Sequence, residues 1–197
     1  MKKGWLVPIA LVVIVLMIGG WLKGMYNGLV RTDEGVKAGW AQVENQLQRR
    51  FDLIPNLVAT VKGYASHERE TFEAVTNARA RVGGAGSIGE KIDANNQLTS
   101  ALSRLLVVAE AYPELKANQN FIQLQDELAG TENRISTERR RYNELVRDFN
   151  VKVRSLPTVL LANMFGFQQA KMFESVAEAG QAPKVDFEKS PSGPEGR

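Results

Sequence analysis

An apolar run of 18 residues, from Trp5 to Leu22, constrains this chain more than any other feature of its sequence. The run (WLVPIALVVIVLMIGGWL) contains no charged residue. At a rise of about 1.5 Å per residue, a helix of this length is about long enough to cross a hydrocarbon core about 30 Å thick. Trp5 and Trp21 lie near its two ends, where amphipathic aromatic rings occupy headgroup depth. We therefore predict a transmembrane anchor over residues 1–23, with Trp5, Trp21 and Leu22 as anchor residues.

Three other interpretations of the run compete with an anchor. A cleaved signal peptide needs a small-residue cleavage site after the apolar stretch, and Trp21 is a poor residue near such a site. A buried core helix usually shows a polar stripe, which this run lacks. A lipoprotein anchor requires a cysteine, and the chain contains none. An uncleaved single-pass anchor is the interpretation that these features favour.

The orientation of the anchor is weakly constrained by charge. Lys2 and Lys3 precede the run, and Lys23, Arg31 and Lys37 follow it, so the positive charges on the two sides are nearly balanced. The very short N-terminus with two lysines favours a cytoplasmic N-terminus. We therefore expect the rest of the chain on the outer face.

The rest of the chain is long enough for one domain. About 150 residues remain between the anchor and the C-terminal tail, enough to bury a core of their own. The lack of cysteine excludes disulfides and thiolate chemistry, and it fits either side of a membrane. A formal net charge of +3 does not indicate a nucleic-acid-binding protein. We predict a helical domain over residues 24–176 and a disordered tail, rich in proline, glycine and charge, over residues 177–197.

Helical periodicity predicts an all-α fold: the transmembrane helix, then an elongated antiparallel bundle of three long helices and a short C-terminal helix. The first bundle helix begins at a Thr32 cap, bends at Pro55 without ending, and stops in the glycine-rich stretch 82–89. Its predicted apolar seam consists of Val36, Trp40, Val43, Leu47, Phe51, Ile54, Val58, Val61 and Ala65.

The second predicted helix, about residues 90–112, is only half as long as its neighbours. The third runs from Pro113 to Arg154 and is about 63 Å long at the helical rise. Pro157 ends its apolar pattern, which has heptad spacing. The segment after Pro157 is the candidate to cover the seam that the short second helix leaves open.

Two polar residues, Thr131 and Glu138, interrupt the seam of the third helix. They either stay solvated at the edge of the seam or set the register between helices. The basic run from Arg139 to Arg141 favours a solvated face with ion pairs; a site for anionic lipid or an acidic partner is the alternative.

The apolar segment at residues 160–167 (LLANMFGF) is the strongest interaction candidate, because a lone surface helix would leave its apolar side chains in water. It packs on the bundle, inserts into the membrane interface or contacts a neighbouring subunit. The candidate interaction residues are Leu160, Leu161, Met164, Phe165 and Phe167.

The sequence offers little catalytic chemistry. One histidine and no cysteine exclude a histidine-rich or thiolate metal site within one chain, and we place His67 on a helix surface. No GxSxG turn presents a serine, and glycines 83–86 lack the GK[ST] of a phosphate loop. We predict no enzyme, no metal and no cofactor. A hydrolase or lipid-binding module is the competing hypothesis, which a polar cavity around Glu110, Glu114, Glu132 and Arg134 would support.

Long blocks of the chain resemble the LemA family of bacterial membrane proteins, from about Met1 to Phe187. The blocks are YNGLV after the apolar run, WAQVENQLQRRFDLIPNLVATVKGYASHE, ARA at 78–80, LLVVAEAYPELKANQNFIQLQDELAGTENRISTERRRYNELVRDFN and FGF. The resemblance implies a single membrane helix, an all-α domain of long antiparallel helices, and no established catalytic function. The family's occurrence beside membrane proteases and envelope-stress components implies a scaffold or adaptor.

We therefore expect a non-enzymatic, membrane-anchored scaffold in the bacterial inner membrane. Its expected partners are the membrane, further copies of itself, and a membrane protease or other envelope protein, but no nucleic acid. A sensor that signals through a helix shift is the alternative.

Overall fold

The computed structural model describes residues 5–173, and the predicted tail at 177–197 lies outside this range. The described residues form six α-helices and no β-strand, which confirms the all-α prediction. The helices are α1 (Leu6–Tyr64), α2 (Arg69–Gly84), α3 (Ile88–Glu110), α4 (Pro113–Lys116), α5 (Gln119–Arg154) and α6 (Thr158–Phe165). Helix α5 packs along α1, and α2 packs on α3.

Helix α1 joins the apolar run to the bundle in one unbroken element. It contains 59 residues, which correspond to about 88 Å at the helical rise. Among the described helices it is the one long and apolar enough to cross a membrane, and residues 8–22 are exposed along their whole length. The domain therefore continues directly from the predicted anchor.

The predicted helix start at Thr32 is wrong, because α1 passes through this position without a break. The Thr32 hydroxyl donates hydrogen bonds to the carbonyl oxygens of Gly28 and Leu29, both at 3.0 Å. A threonine inside a helix can satisfy its hydroxyl on the preceding turn in this way. The helix also continues through Pro55, as predicted.

The first predicted bundle helix is in fact two helices. The chain turns after Tyr64, and α2 begins at Arg69. His67 is exposed in this turn and not on a helix surface. Phe72 follows Ala65 by seven residues, which is about two helical turns, so the apolar pattern stays in phase across the turn. Periodicity alone therefore predicts one continuous helix here. The predicted end in the glycine-rich stretch is confirmed: α2 ends at Gly84, and Ser87 and Glu90 form a capping box for α3.

The third predicted helix is also divided. A single turn, α4, precedes α5, which begins at Gln119. The Asn118 side chain accepts a hydrogen bond from the backbone N–H of Phe121 at 3.1 Å and caps α5. Helix α5 ends at Arg154, as predicted, and contains 36 residues, or about 54 Å.

The apolar interior forms two separate clusters. The proximal core, which lies nearer the apolar run, joins the first half of the bundle part of α1 to the second half of α5 and to α6. The distal core joins the end of α1 to α2, α3, α4 and the start of α5. Representative proximal residues are Leu29, Val43, Leu47, Ile135, Tyr142, Val146 and Phe149. Representative distal residues are Ile54, Leu57, Val61, Val75, Leu98, Leu105 and Leu128.

The C-terminal segment (residues 168–173) runs back along α5 and completes the proximal core. Asn150 exchanges two hydrogen bonds with the backbone of Ala170, at 2.8 and 3.0 Å, and Asn143 does the same with Phe173, at 2.9 Å each. Seven helical residues, about 10.5 Å, separate the two asparagines. Three residues of chain span at most about 10–11 Å, so the segment is nearly fully extended. Together with α6, it covers the part of the seam that α3 does not reach, as expected.

Helices α1 and α5 approach closely at Gly39. A Cβ atom at this position would lie 2.6 Å from Cδ1 of Leu145 and 3.8 Å from the Cα of Tyr142. The missing side chain is therefore what allows this contact, whereas a Cβ at Gly63 of the same helix would meet nothing within 4 Å.

We expect Gly39→Ala to be less stable than Gly63→Ala by about 1 kcal/mol, the lower end of the usual penalty for overpacking, because the atom in the way is the end of the half-buried Leu145 side chain. Alanine gains about 1 kcal/mol of helix propensity over glycine in a helix interior and less at Gly63, which lies in the last turn of α1, so the difference between the variants is a lower bound on the cost of the contact with α5. The measurement is chemical denaturation of the detergent-solubilised protein, followed by its helical circular dichroism. Adding Leu145→Ala should remove most of the difference; equal stability of the two glycine variants would contradict the close approach.

Candidate functional site

A buried arginine on α1 connects three helices between the two cores. Arg50 is 1% exposed. Its Nη1 donates to Oγ1 of Thr99 at 2.9 Å and to Oε2 of Glu132 at 2.8 Å, and its Nη2 donates to Oδ1 of Asn95 at 2.8 Å. Thr99 and Asn95 belong to α3, and Glu132 belongs to α5. One guanidinium therefore ties α1 to α3 and to α5 at a single level of the bundle.

This level is a polar layer, which we define as Arg50, Asn95, Thr99, Thr131 and Glu132. Three of its members, Arg50, Asn95 and Thr131, are the buried polar residues of the described chain. On each helix the polar residue lies between proximal and distal core positions: Leu47 and Ile54 flank Arg50, and Leu128 and Ile135 flank Thr131. The layer therefore separates the two apolar clusters.

The charge of Glu132 acts on two arginines: Arg50, its partner in the layer, and Arg139, which lies seven residues further along α5. Burial lowers the pKa of the Arg50 guanidinium, and the charge and hydrogen bond of Glu132 oppose this effect. Burial also lowers the pKa of Arg139; Glu132 again opposes the effect, and the positive charge of Arg50 adds to it. Because arginine normally titrates above pH 12, both groups stay charged at neutral pH. The negative charge of Glu132 thus offsets part of the cost of holding two positive charges in a poorly solvated region.

Sequence reasoning missed Arg50, and the reason is visible in the pattern. Arg50 follows Leu47 by three residues and precedes Ile54 by four, so it fits the seam as well as Phe51 does. The prediction chose the apolar neighbour, but Phe51 is only half-buried, and the guanidinium of Arg79 lies 4.1 Å from its ring centroid. The predicted seam also contains Val58, which is half-buried, whereas the structure buries its apolar neighbour Leu57.

The two predicted polar seam residues have different environments. Thr131 is fully buried and accepts a hydrogen bond from Nη2 of Arg134 at 3.2 Å, so the solvated interpretation is wrong for this residue. Glu138 is half-buried. The hypothesis that the two set the register between helices stays a prediction. Arg139, which was expected on a solvated face, is half-buried and lies 4.7 Å from the ring centroid of Phe173.

The five candidate interaction residues divide into two groups. Leu161 is 7% exposed and Phe167 is half-buried, so both attach α6 to the bundle. Leu160, Met164 and Phe165 are exposed by 67%, 68% and 54%. These three and Leu156, exposed by 80%, form what we call the basal patch. Only one side of this segment therefore packs on the bundle, and the other side is exposed.

The basal patch lies beside the apolar run. The ring centroid of Phe165 is 4.7 Å from that of Tyr26, and Tyr26 follows Leu22 by only four residues of the same helix. The predicted anchor residues Trp5, Trp21 and Leu22 are exposed by 79%, 56% and 39%.

The cavity required by the hydrolase hypothesis is not formed by the predicted residues. Glu132 lines a cleft of about 230 Å³, together with Arg50 and apolar side chains of α3 and α5, but Glu110, Glu114 and Arg134 do not line it. Glu110 and Glu114 lie at the junction of α3 and α4, and Glu132 lies 13 residues into α5, about 20 Å along its axis. Within residues 5–173, no group of three His, Cys, Asp or Glu side chains is placed to hold a metal ion.

The fold and the exposed apolar run define a helical-bundle protein whose first helix fits a membrane anchor. The sequence profile of the LemA family matches residues 39–187, which is more than half of the chain. The chain belongs to the LemA family, and the resemblance seen in its sequence is confirmed.

The relatives of this chain are distant. The magnetosome protein MamQ 2 of Paramagnetospirillum magneticum is 26% identical over 186 residues, covering 81% of this chain and 68% of that protein. The magnetosome protein MamQ of Magnetospirillum gryphiswaldense is 25% identical, with the same coverage. Protein LemA of Metamycoplasma hominis is 23% identical over 168 residues, covering 85% of this chain and 75% of that protein. None of these names denotes an enzyme.

We expect Arg50→Ala to lower the free energy of unfolding by about 3 kcal/mol, because it leaves the buried Asn95 without its partner and empties the space that the guanidinium fills. The matched control is Arg49→Ala, the exposed neighbouring arginine, which should change stability by less than about 0.5 kcal/mol. Chemical denaturation in detergent measures both variants. Equal effects of the two substitutions would show that the polar layer contributes no specific stability.

Proposed function

We propose that this protein is a non-enzymatic, membrane-anchored helical scaffold that assembles with itself or with another membrane protein. The observation that carries the proposal is the continuity of α1, which extends the predicted span by about 60 Å into the bundle, given the 42 residues from Lys23 to Tyr64. A flexible linker would leave the domain free to reorient, whereas a continuous helix transmits the position of the anchor to the rod. Every copy then stands on the membrane with the same end down, which favours lateral contacts.

The polar layer supports a structural role for the bundle. Arg50 contacts two other helices through specific hydrogen bonds, and a slip of any one helix would bury its charge without partners. Such a layer suits a protein whose function depends on a fixed arrangement of helices. The chemical groups of the layer are used in holding the helices together.

The proposed partners are further copies of this chain, or a membrane protease or other envelope protein. We propose the bacterial inner membrane as the location, with a single span and with the domain on the outer face, and envelope homeostasis or membrane protein quality control as the process. A sensor that signals through α1 is the alternative that the unbroken helix favours, because the same helix would carry a displacement across the membrane.

Assembly is tested with the full-length protein in its native membrane. The chain has no cysteine, so single cysteines at exposed positions report contacts between copies without background. Suitable positions are Val107 on α3 and Ile122 and Val151 near the two ends of α5. We expect fast disulfide crosslinking on one face only, together with one defined stoichiometry in native mass spectrometry of detergent extracts. A monomer without a co-purifying protein would exclude the scaffold proposal, and equal crosslinking at all positions would indicate random collision.

The side of the membrane is tested by labelling Ser136→Cys, an exposed position on α5, with a membrane-impermeant maleimide. We expect labelling in intact spheroplasts to match labelling after detergent lysis, because an outer-face domain is already accessible. Labelling that appears only after lysis would place the domain in the cytoplasm.

A further inference from the structure

The basal patch is exposed in the described chain although its side chains are large and apolar. Leu156, Leu160, Met164 and Phe165 each expose more than half of their surface. Four large apolar side chains exposed within ten residues of chain normally mark a surface that a membrane or another protein covers. The level of the patch relative to the apolar run of α1 indicates that the membrane covers it.

The depth of the patch follows from the geometry of α1. Tyr26 lies four residues, about 6 Å, beyond Leu22, the last residue of the apolar run. The headgroup layer on each side of the hydrocarbon core is about 5–8 Å thick. With Leu22 at the edge of the hydrocarbon, Tyr26 lies in the headgroup layer, and Phe165 packs against Tyr26 at a centroid distance of 4.7 Å.

The register of α5 against α1 leads to the same position. Arg50 pairs with Glu132, and Gly39 lies against Leu145, so the antiparallel register places Arg154 level with about Gly28 of α1. The turn that contains Leu156 follows directly and therefore lies at the level of Tyr26.

The charges at this end of the bundle suit a surface of anionic lipid. Residues 5–32 and 151–167 form the end and contain no aspartate or glutamate; Asp33, Glu34 and Asp148 lie just beyond it. Their four cations are all exposed: Lys23, Arg31, Lys152 and Arg154. Exposed cations around an apolar patch are typical of helices that lie in a membrane interface, where the cations meet headgroup phosphates.

We propose that α6 and the turn before it lie in the headgroup layer beside the span, with the basal patch inserted into anionic lipid as a second membrane contact. A single span leaves the rod free to tilt and to rotate about the membrane normal. A second contact beside the span fixes the tilt, and it determines which sides of the rod face neighbouring molecules. The proposal depends on the membrane anchoring in the proposed function but not on assembly.

The test uses the full-length protein in nanodiscs that hold one copy each. Met164→Cys carries an environment-sensitive fluorophore, and Val107→Cys is the matched control, because both replace exposed apolar side chains, at 68% and 67%, and Val107 lies on α3 in the distal part of the bundle. We expect blue-shifted emission at position 164 and severalfold stronger quenching by nitroxide-labelled lipid than at position 107. Replacing zwitterionic lipid by anionic lipid should increase the quenching.

Two results would overturn the lipid contact. Equal, weak lipid quenching at positions 164 and 107 would show that the patch lies in water. Shielding of position 164 from aqueous iodide without lipid quenching would show that the chain itself covers the patch, because each disc holds one copy. Each disc holds one copy, so the lipid quenching does not depend on assembly between copies. A monomer in native mass spectrometry would therefore exclude the scaffold proposal and leave the lipid contact unaffected. Retained helical circular dichroism of each labelled variant excludes unfolding as the cause.

Discussion

The buried charge of Arg50 is the constraint on which the arrangement of this bundle depends. A guanidinium that is 1% exposed is tolerated only where hydrogen-bond acceptors surround it, and Asn95, Thr99 and Glu132 supply them from two other helices. Apolar seams alone permit neighbouring helices to slide by one turn at modest cost, because leucine and valine side chains pack in many registers. A charged group with partners at one level removes this freedom. The two apolar cores then fill the space on either side of the polar layer.

Different elements close the apolar cores in the two halves of the bundle. In the distal half, α2 and α3 supply the apolar surface that α1 and α5 need. In the proximal half α3 contributes only its first turns, through Ile92, and α6 and the C-terminal segment close the rest of the core. Asn143 and Asn150 make this possible, because each side-chain amide offers an extended backbone the donor and acceptor that a β-strand would provide. The chain is thereby led from α6, at the base of the rod, back along α5 and away from the apolar run.

Much of the fold follows from local pattern in the sequence. The uncharged run from Trp5 to Leu22, the steps of three and four along each helix, and the glycines at 83–86 correctly indicate a long apolar helix, an all-α bundle and the end of α2. The turn at residues 65–68 escaped prediction, because Phe72 continues the phase of the preceding seam. Arg50 escaped because a charged residue at a seam position has no local signal: its acceptors lie 45 and more residues away in the sequence.

The sequence by itself determined that the chain carries an apolar span and that helices with one apolar face follow it, because periodicity is a local property of the chain. It also contained the blocks that identify the LemA family. Only the tertiary structure decided which polar residues are buried, where the long helices break, and which apolar side chains of α6 are left exposed beside the span. These features depend on contacts between residues that are distant in sequence. They are settled by the balance of burial, hydrogen bonding and close approach between whole helices.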